Sequence, residues 1–321
     1  MHVPAELEAL RRDETLQRHA QSAVQAGLAQ WQDRCGYSAL LDDLAGFAAG
    51  ADIDGLPRLA SLFAASSAAS EALVGELVGE LATQLAGQPL GHVPLRHHSD
   101  AVITSLLLAR SGGATLSLEA IDGAELARCA VPVSVSFSAS ETWEYVLAGC
   151  ARIDRFRLGV LRGDCAVLHR DAIDLAAGMI SHCDGADEAL VLRHVPRSLI
   201  TLKLQRRPGR GAVVREYALA DGRLLHEAAA HSQDSRLELA AALLGRMGRS
   251  DAAPLLAAMA LEPCGRSLRW QALRECLGLD SAIGFAAVSR LAGRTADPLA
   301  APAAALRQQL LATYPQLAAL D

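Results

Sequence analysis

Leu199-Ile200-Thr201-Leu202-Lys203-Leu204 places apolar residues at 200, 202 and 204 and sets Thr201 and Lys203 between them. A period of two marks a strand with one face on a core, because successive side chains leave a strand on opposite sides. Short runs rich in β-branched residues recur at Val102 to Leu108, Ala114 to Ile121, Val131 to Phe137, Trp143 to Leu147, Ala166 to Leu168, Ile173 to Leu175, Ala189 to Leu192 and Val213 to Leu219. Nine closely spaced strands, unbroken by long helices, predict an antiparallel sandwich or barrel, since parallel strands need crossover connections. Asp221-Gly222, a hairpin-like dipeptide, closes this zone.

On both sides of the strands the period changes to that of helices. Leu7, Leu10, Val24, Leu28 and Trp31 recur at steps of three and four residues. Ser38 is expected to cap a second helix with Leu40, Leu41, Leu44 and Phe47 as its buried stripe, and a third is expected from Leu56 to Leu85 with Leu73, Leu77 and Leu81 on one face. Beyond the strands, Asp234 or Ser235, Asp251, Ser267, and Asp280 or Ser281 are the expected caps of four helices. Asp297-Pro298 stops that array before a last helix from about Ala301 to Thr313, closed by Pro315. The fold class is therefore α+β: an N-terminal helical segment (1–90), a central antiparallel β domain (91–228) and a C-terminal helical domain (229–321).

The C-terminal zone repeats itself. Arg236-Leu237-Glu238-Leu239-Ala240-Ala241-Ala242-Leu243-Leu244-Gly245 aligns with Arg269-Trp270-Gln271-Ala272-Leu273-Arg274-Glu275-Cys276-Leu277-Gly278 at a spacing of 33 residues, and Ala253 and Leu255 align with Ala286 and Val288. With the run from Asp251 to Leu256, these pairs resemble HEAT-type repeats. The resemblance implies a short helical stack that packs on the β domain and offers its other face to a protein partner.

The β zone resembles a cupin barrel. Glu141-Thr142-Trp143-Glu144-Tyr145-Val146-Leu147-Ala148-Gly149 is similar to the segment that carries a cupin's metal-binding glutamate, and Asp174-Leu175-Ala176-Ala177-Gly178 to the run before the second motif. In metal-binding cupins two histidines, one residue apart, precede the glutamate, whereas here that stretch holds Ser136 and Ser138. Serine is a poor ligand for a first-row metal, so the resemblance implies the barrel with a degenerate metal site.

Composition narrows the function classes. A formal charge of -6 argues against generic nucleic-acid binding, which needs a basic surface. Lys203 is the only lysine, which leaves no lysine for a phosphate-binding loop and reads as a solvated strand residue. The seven cysteines are dispersed, as expected of reduced thiols in a cytoplasm. Glu6, Glu8, Arg11 and Arg12 leave no apolar signal-peptide region at the start, and no apolar run reaches the ~20 residues that span a bilayer.

Candidate sites follow from residue chemistry. His97, His98 and Asp100, with Glu141, are the candidate ligands for a divalent iron, manganese or zinc, although His97 and His98 point to opposite faces if a strand begins there. His226 and His231 are five apart, one too many for the zinc-protease pattern of a shared helix face. His182-Cys183-Asp184 offers a thiol beside a base but reads as a polar turn. Glu141 and Glu144, three apart in a strand, are expected on opposite faces. Arg193, Arg197 and Arg215 lie in an arginine-rich region that also holds Arg206, Arg207 and Arg210, and guanidinium forks there suit a small acidic ligand or peptide.

The leading expectation is a cytosolic, non-catalytic binding or accessory protein without a bound metal, engaging a protein partner or a second copy. The alternative is a metal-dependent cupin oxygenase or isomerase acting on a small acidic molecule. No residue is assigned a catalytic role.

Overall fold

A computed structural model of the chain describes residues 13–207, 209 and 212–320; Glu6, Leu7, Glu8, Leu10, Arg11, Arg12 and Arg210 of the expectations above lie outside them. The chain divides into two compact units. One holds the described residues up to Pro132 with Ser140–Leu158 and His169–Arg207, and the other holds Val133–Ala139, Gly159–Leu168 and the described residues after Arg207. This division cuts across the three compositional zones, because the N-terminal helices share a core with most of the strands while three strands go with the C-terminal helices.

The first unit begins with α1 (Thr15–Arg34), α2 (Tyr37–Ala48), α3 (Pro57–Leu62) and α4 (Ala68–Gly87). Ser38 is not the cap of α2: Gly36, at φ 68°, makes the left-handed turn that starts the helix at Tyr37. The helix expected from Leu56 to Leu85 is broken into α3 and α4. Ser67 Oγ accepts the Ser70 backbone N–H at 3.1 Å and Ser70 Oγ donates to the Leu62 carbonyl, so serine side chains satisfy backbone groups that a continuous helix would have paired. Leu73, Leu77 and Leu81 are buried on one face of α4, as their spacing predicts.

An eight-stranded sheet follows, built from β1 (His97–Ser99), β2 (Ile103–Ser111), β3 (Ala114–Asp122), β5 (Glu141–Arg162), β6 (Cys165–Ala176), β7 (Ile180–Asp184), β8 (Glu188–His194) and β9 (Ser198–Arg206). Its order is β1-β2-β3-β9-β5-β6, and β7 and β8 also pair with β5. The expected run from Trp143 to Leu147 is only the start of a 22-residue strand, and the two runs of 166–168 and 173–175 are one strand, β6. β5 bends at Gly149, where φ is 88° and an added Cβ would stand 2.1 Å from the Ser198 carbonyl oxygen. Only glycine fits both that conformation and that close approach. β7 was expected to be a turn; its polar residues are carried in register against β5.

Leu202 and Leu204 of β9, with Leu116 and Tyr145, join Trp31, Phe47, Leu59 and Leu77 in one core cluster. The helices therefore cover the sheet face that carries the even positions of β9. Each fully buried leucine contributes about 2 kcal/mol of transfer free energy there. Tyr37 and Tyr145 tie helices to sheet through bonds to the Leu108 carbonyl (3.1 Å) and Glu71 Oε1 (3.3 Å). A second cluster, centred on Val146, Ile153, Leu175 and Leu199, fills the space beyond the bend in β5.

The second unit contains a three-stranded antiparallel sheet of β4 (Ser134–Ser138), β10 (Val213–Ala218) and β11 (Leu224–Ala229) in the order β11-β10-β4. Thus Ser136 and Ser138, which correspond in sequence to a cupin's histidine pair, pair with β10. His226 lies in β11 and His231 caps the next helix, so no helix carries the two histidines.

The helices of this unit are α6 (Ser232–Arg246), α7 (Ala253–Leu261), α8 (Arg266–Leu279), α9 (Ser281–Ala292) and α10 (Ala300–Thr313), numbered after a short turn, α5 (Gly123–Leu126), in the first unit. Helix α8 packs on α6, α7 and α9, and α9 packs also on α7 and α10. Asp280 caps α9 as expected, accepting from Ala282 and Ile283 at 3.0 and 2.9 Å. The expected caps at Asp234, Ser235 and Ser267 give way to His231 and Gly265. The 33-residue correspondence fails in the second helix of each pair: Leu255 is 61% exposed whereas Val288 is fully buried. A single residue, Asp280, joins α8 to α9, while residues 247–252 separate α6 from α7, so the second helices start out of phase.

Candidate functional site

Strand register assembles a polar surface on the side of the first unit's sheet opposite the helices. Ser117 of β3, Lys203 of β9, Glu144 of β5 and Ser181 of β7 are direct cross-strand neighbours, and directly opposed residues share a face. Lys203 is not a solvated strand lysine. Its Nζ lies 3.3 Å from Glu119 Oε2 and 3.3 Å from Glu144 Oε1. Burial alone would lower its pKa, but the two carboxylates outweigh burial and hold it above the usual lysine value.

A cavity of about 420 Å³ opens over this face, lined in part by Ser105, Ser117, Glu119 and Gln205. Arg96, Arg110 and Arg207 line it as well. Glu119 is compensated by Lys203, so the three guanidinium groups leave the cavity with an excess of positive charge. Arginine forks with free donors suit carboxylate or phosphate oxygens.

His97 and His98 both line this cavity, but the four metal ligands expected from the sequence are not brought together. His98 is opposite Ser105 on the polar face, whereas His97 is opposite Leu106 on the other side of β1. Asp100 spends one oxygen on the backbone N–H groups of Val102 and Ile103, at 2.8 and 2.7 Å, which holds its carboxyl below the usual range. Three strands lie between β1 and β5, which puts Glu141 about 19 Å away at ordinary strand spacing. Among the described residues no group of three or more His, Cys, Asp or Glu side chains could hold a metal ion.

Glu141 belongs to a different cluster, on the helix-facing side. It accepts from Trp143 Nε1 at 2.9 Å and pairs with Arg206 and with His182 Nε2 at 3.3 Å. His182 stacks on Trp143 with ring centroids 4.1 Å apart, and Arg206 lies over the Phe47 ring and donates to the Phe47 carbonyl at 2.8 Å. Glu141 and Glu144 thus face opposite ways, as their three-residue step predicts.

Cys183 is buried on the polar side of β7, and burial pushes its thiol up to about 11. A thiol held there is protonated at neutral pH and is no nucleophile. The arginines expected to share a ligand are separated. Arg193 pairs with the buried Asp154, Arg215 pairs with Glu227 in the second unit, and Arg197 contributes its carbonyl to the Gly123 N–H. What sequence reasoning missed is the Lys203, Glu119 and Glu144 trio. Its signal was present in outline, since Lys203 and Glu119 each occupy the polar phase of a strand-like run.

No protein-family model matches the chain, and no curated protein matches it. Among solved structures, ectoine synthase from P. lautus is 13% identical over 34% of this chain and 67% of its own, with a TM-score of 0.23. KdgF from Halomonas sp. is 13% identical over 35% of this chain and 87% of its own, with a TM-score of 0.25. A variant of Bacillus subtilis oxalate decarboxylase is 15% identical over 41% of this chain and 34% of its own, also at 0.25. At such scores these likenesses carry no argument about this chain.

Proposed function

We propose that the first unit is a cupin-like binding module for a small anionic molecule held in the cavity over the polar face of its sheet. The observation that carries this reading is the cavity rim, where Arg96, Arg110 and Arg207 make no side-chain ion pair among the described residues. Each is available to an incoming carboxylate or phosphate. Lys203 cannot replace them, because its charge is already shared by Glu119 and Glu144.

Titration calorimetry with inorganic phosphate and with adipate tests the reading. Binding of either anion, weakened several-fold by Arg96→Gln, Arg110→Gln or Arg207→Gln, is the expected result. Absence of binding by both anions overturns it.

The C-terminal helices are read as a HEAT-like stack that engages a protein partner or a second copy. Leu239, Leu243 and Met247 support this, since they lie four apart along α6 and its C-cap and are 72%, 57% and 58% exposed. Sedimentation of the wild type and of a Leu239→Ser, Leu243→Ser double variant tests self-association through this stripe. A cytosolic location fits the seven thiols, none of which forms a disulfide.

A further inference from the structure

The polar face does not end at the arginine-lined cavity. Beyond Lys203 the same cross-strand row continues to Glu144 and Ser181, whose Oγ is buried without a partner; farther along β5, opposite Leu190 of β8, Arg155 Nε is also buried without a partner. Ser181 is 4% exposed. Arg155 stands close enough to Cys183 for its charge to act on that thiol, and Cys183 shares the face of β7 that carries Ser181. Buried polar groups are nearly always hydrogen-bonded, so one orphan in the row of the charged trio and a second near Cys183 mark a place built for something that brings its own donors and acceptors.

The chemistry of that visitor is restricted. Arg155 Nε can only donate, Ser181 Oγ can do either, and the Lys203 ammonium has three donors, two of them directed at carboxylates. Glu144 and Glu119 can only accept, and each offers one oxygen to Lys203. A second carboxylate or phosphate here would face Glu144 and Glu119 and be repelled. An apolar group would leave the orphans unpaired. A hydroxyl both donates and accepts, and adjacent hydroxyls match alternating donors and acceptors.

We propose that the interior beyond Lys203 binds the hydroxyl-bearing end of a small polyhydroxy acid whose anionic end lies among Arg96, Arg110 and Arg207. This rests on the anion-binding reading above and names the class of ligand for the polar face onto which that cavity opens. The two ends are read separately by the two halves of the face, with Lys203 between them.

Calorimetry of the full chain with four probes separates the two readings: gluconate, glucose 6-phosphate, adipate and glucose. The first two distinguish a carboxylate from a phosphate as the anionic group. The expected result is that one of them binds at least about tenfold more tightly than adipate, because a site built for hydroxyls rejects an analogue lacking them. Ser181→Ala and Arg155→Met should erase that preference while leaving adipate binding unchanged, with thermal melts confirming that both variants fold. Should either fail to fold, Ser181→Thr, which keeps the hydroxyl but crowds the site, serves instead and should weaken gluconate and not adipate. Equal binding of hydroxylated and plain anions would overturn the inference while leaving the anion site standing. Absence of binding by all three anions would overturn both.

Discussion

Lys203 Nζ stands 3.3 Å from Glu119 Oε2 and 3.3 Å from Glu144 Oε1, one ammonium shared by carboxylates from the strands on either side of its own. Its pKa is held above the ordinary 10.5, so the stabilisation it provides is fully present below that pH and is lost as pH rises through the folded value. Lys203→Met leaves two partly buried carboxylates uncompensated and should cost about 2 kcal/mol at pH 7 in urea denaturation. The difference from wild type should shrink as the pH is raised past 10.5. A difference constant across that range would contradict this account.

Asp154, with only 2% of its side chain exposed, bonds Arg193 and Arg170. Burial alone would raise its pKa, but the two guanidinium groups outweigh burial and hold it below the ordinary 3.8. Its stabilisation is present above that value and disappears as pH falls through the folded one. Asp154→Asn should therefore destabilise the chain by about 3 kcal/mol at pH 6, and the two proteins should converge in acid, as followed by denaturation at stepped pH.

Thiol labelling should divide the cysteines by burial. Cys129, Cys150 and Cys165 are exposed, whereas Cys183 and Cys276 are buried and pushed up to about 11. Brief alkylation at pH 8 followed by peptide mass spectrometry should modify the first three and spare the last two. Rapid labelling of Cys183 in the folded chain would restore it as a candidate nucleophile.

His97 and His98 face opposite ways and lie far from Glu141. Protein prepared with iron, manganese and zinc supplied, and purified without chelator, should give the same metal content for wild type, His97→Ala and His98→Ala. Stoichiometric metal lost on either substitution would instead favour a metal-dependent enzyme.

Gly149→Ala should destabilise the chain by about 3 kcal/mol. It forces a side chain onto a φ of 88° and against the Ser198 carbonyl, where β5 bends. Gly163, at φ 62° in the β5–β6 turn, meets no atom within 4 Å and provides the control: in thermal melts of both variants, Gly163→Asn should cost little.

The parts of the fold legible in sequence were those fixed by local periodicity. Leu202 and Leu204 fell on the buried phase of β9, Leu73, Leu77 and Leu81 on one face of α4, and Asp280 at a helix cap. Each depends on neighbours a few residues away. β7 escaped notice because Ser181, His182, Cys183 and Asp184 have no alternation of their own and are held extended by pairing with β5. The break between α3 and α4 was hidden because its cause is a pair of serine bonds rather than a proline or glycine.

The candidate site was less legible than the fold. His97, His98, Asp100 and Glu141 were grouped by residue type, and strand order separates them. Lys203, Glu119 and Glu144 come from three separate strands, and no spacing along the chain announces that they meet.

By itself the sequence determined an α+β chain, the position of most strands and helices, and the phase of side chains within each. Those properties follow from backbone geometry, which repeats every two residues in a strand and every 3.6 in a helix. The tertiary structure alone decided which strands became neighbours, and with them the burial of Lys203 between Glu119 and Glu144 and the orphaned atoms of Ser181 and Arg155. Pairing partners far apart in sequence are selected by the burial of a shared face, an energy that belongs to the assembled sheet and to no single segment.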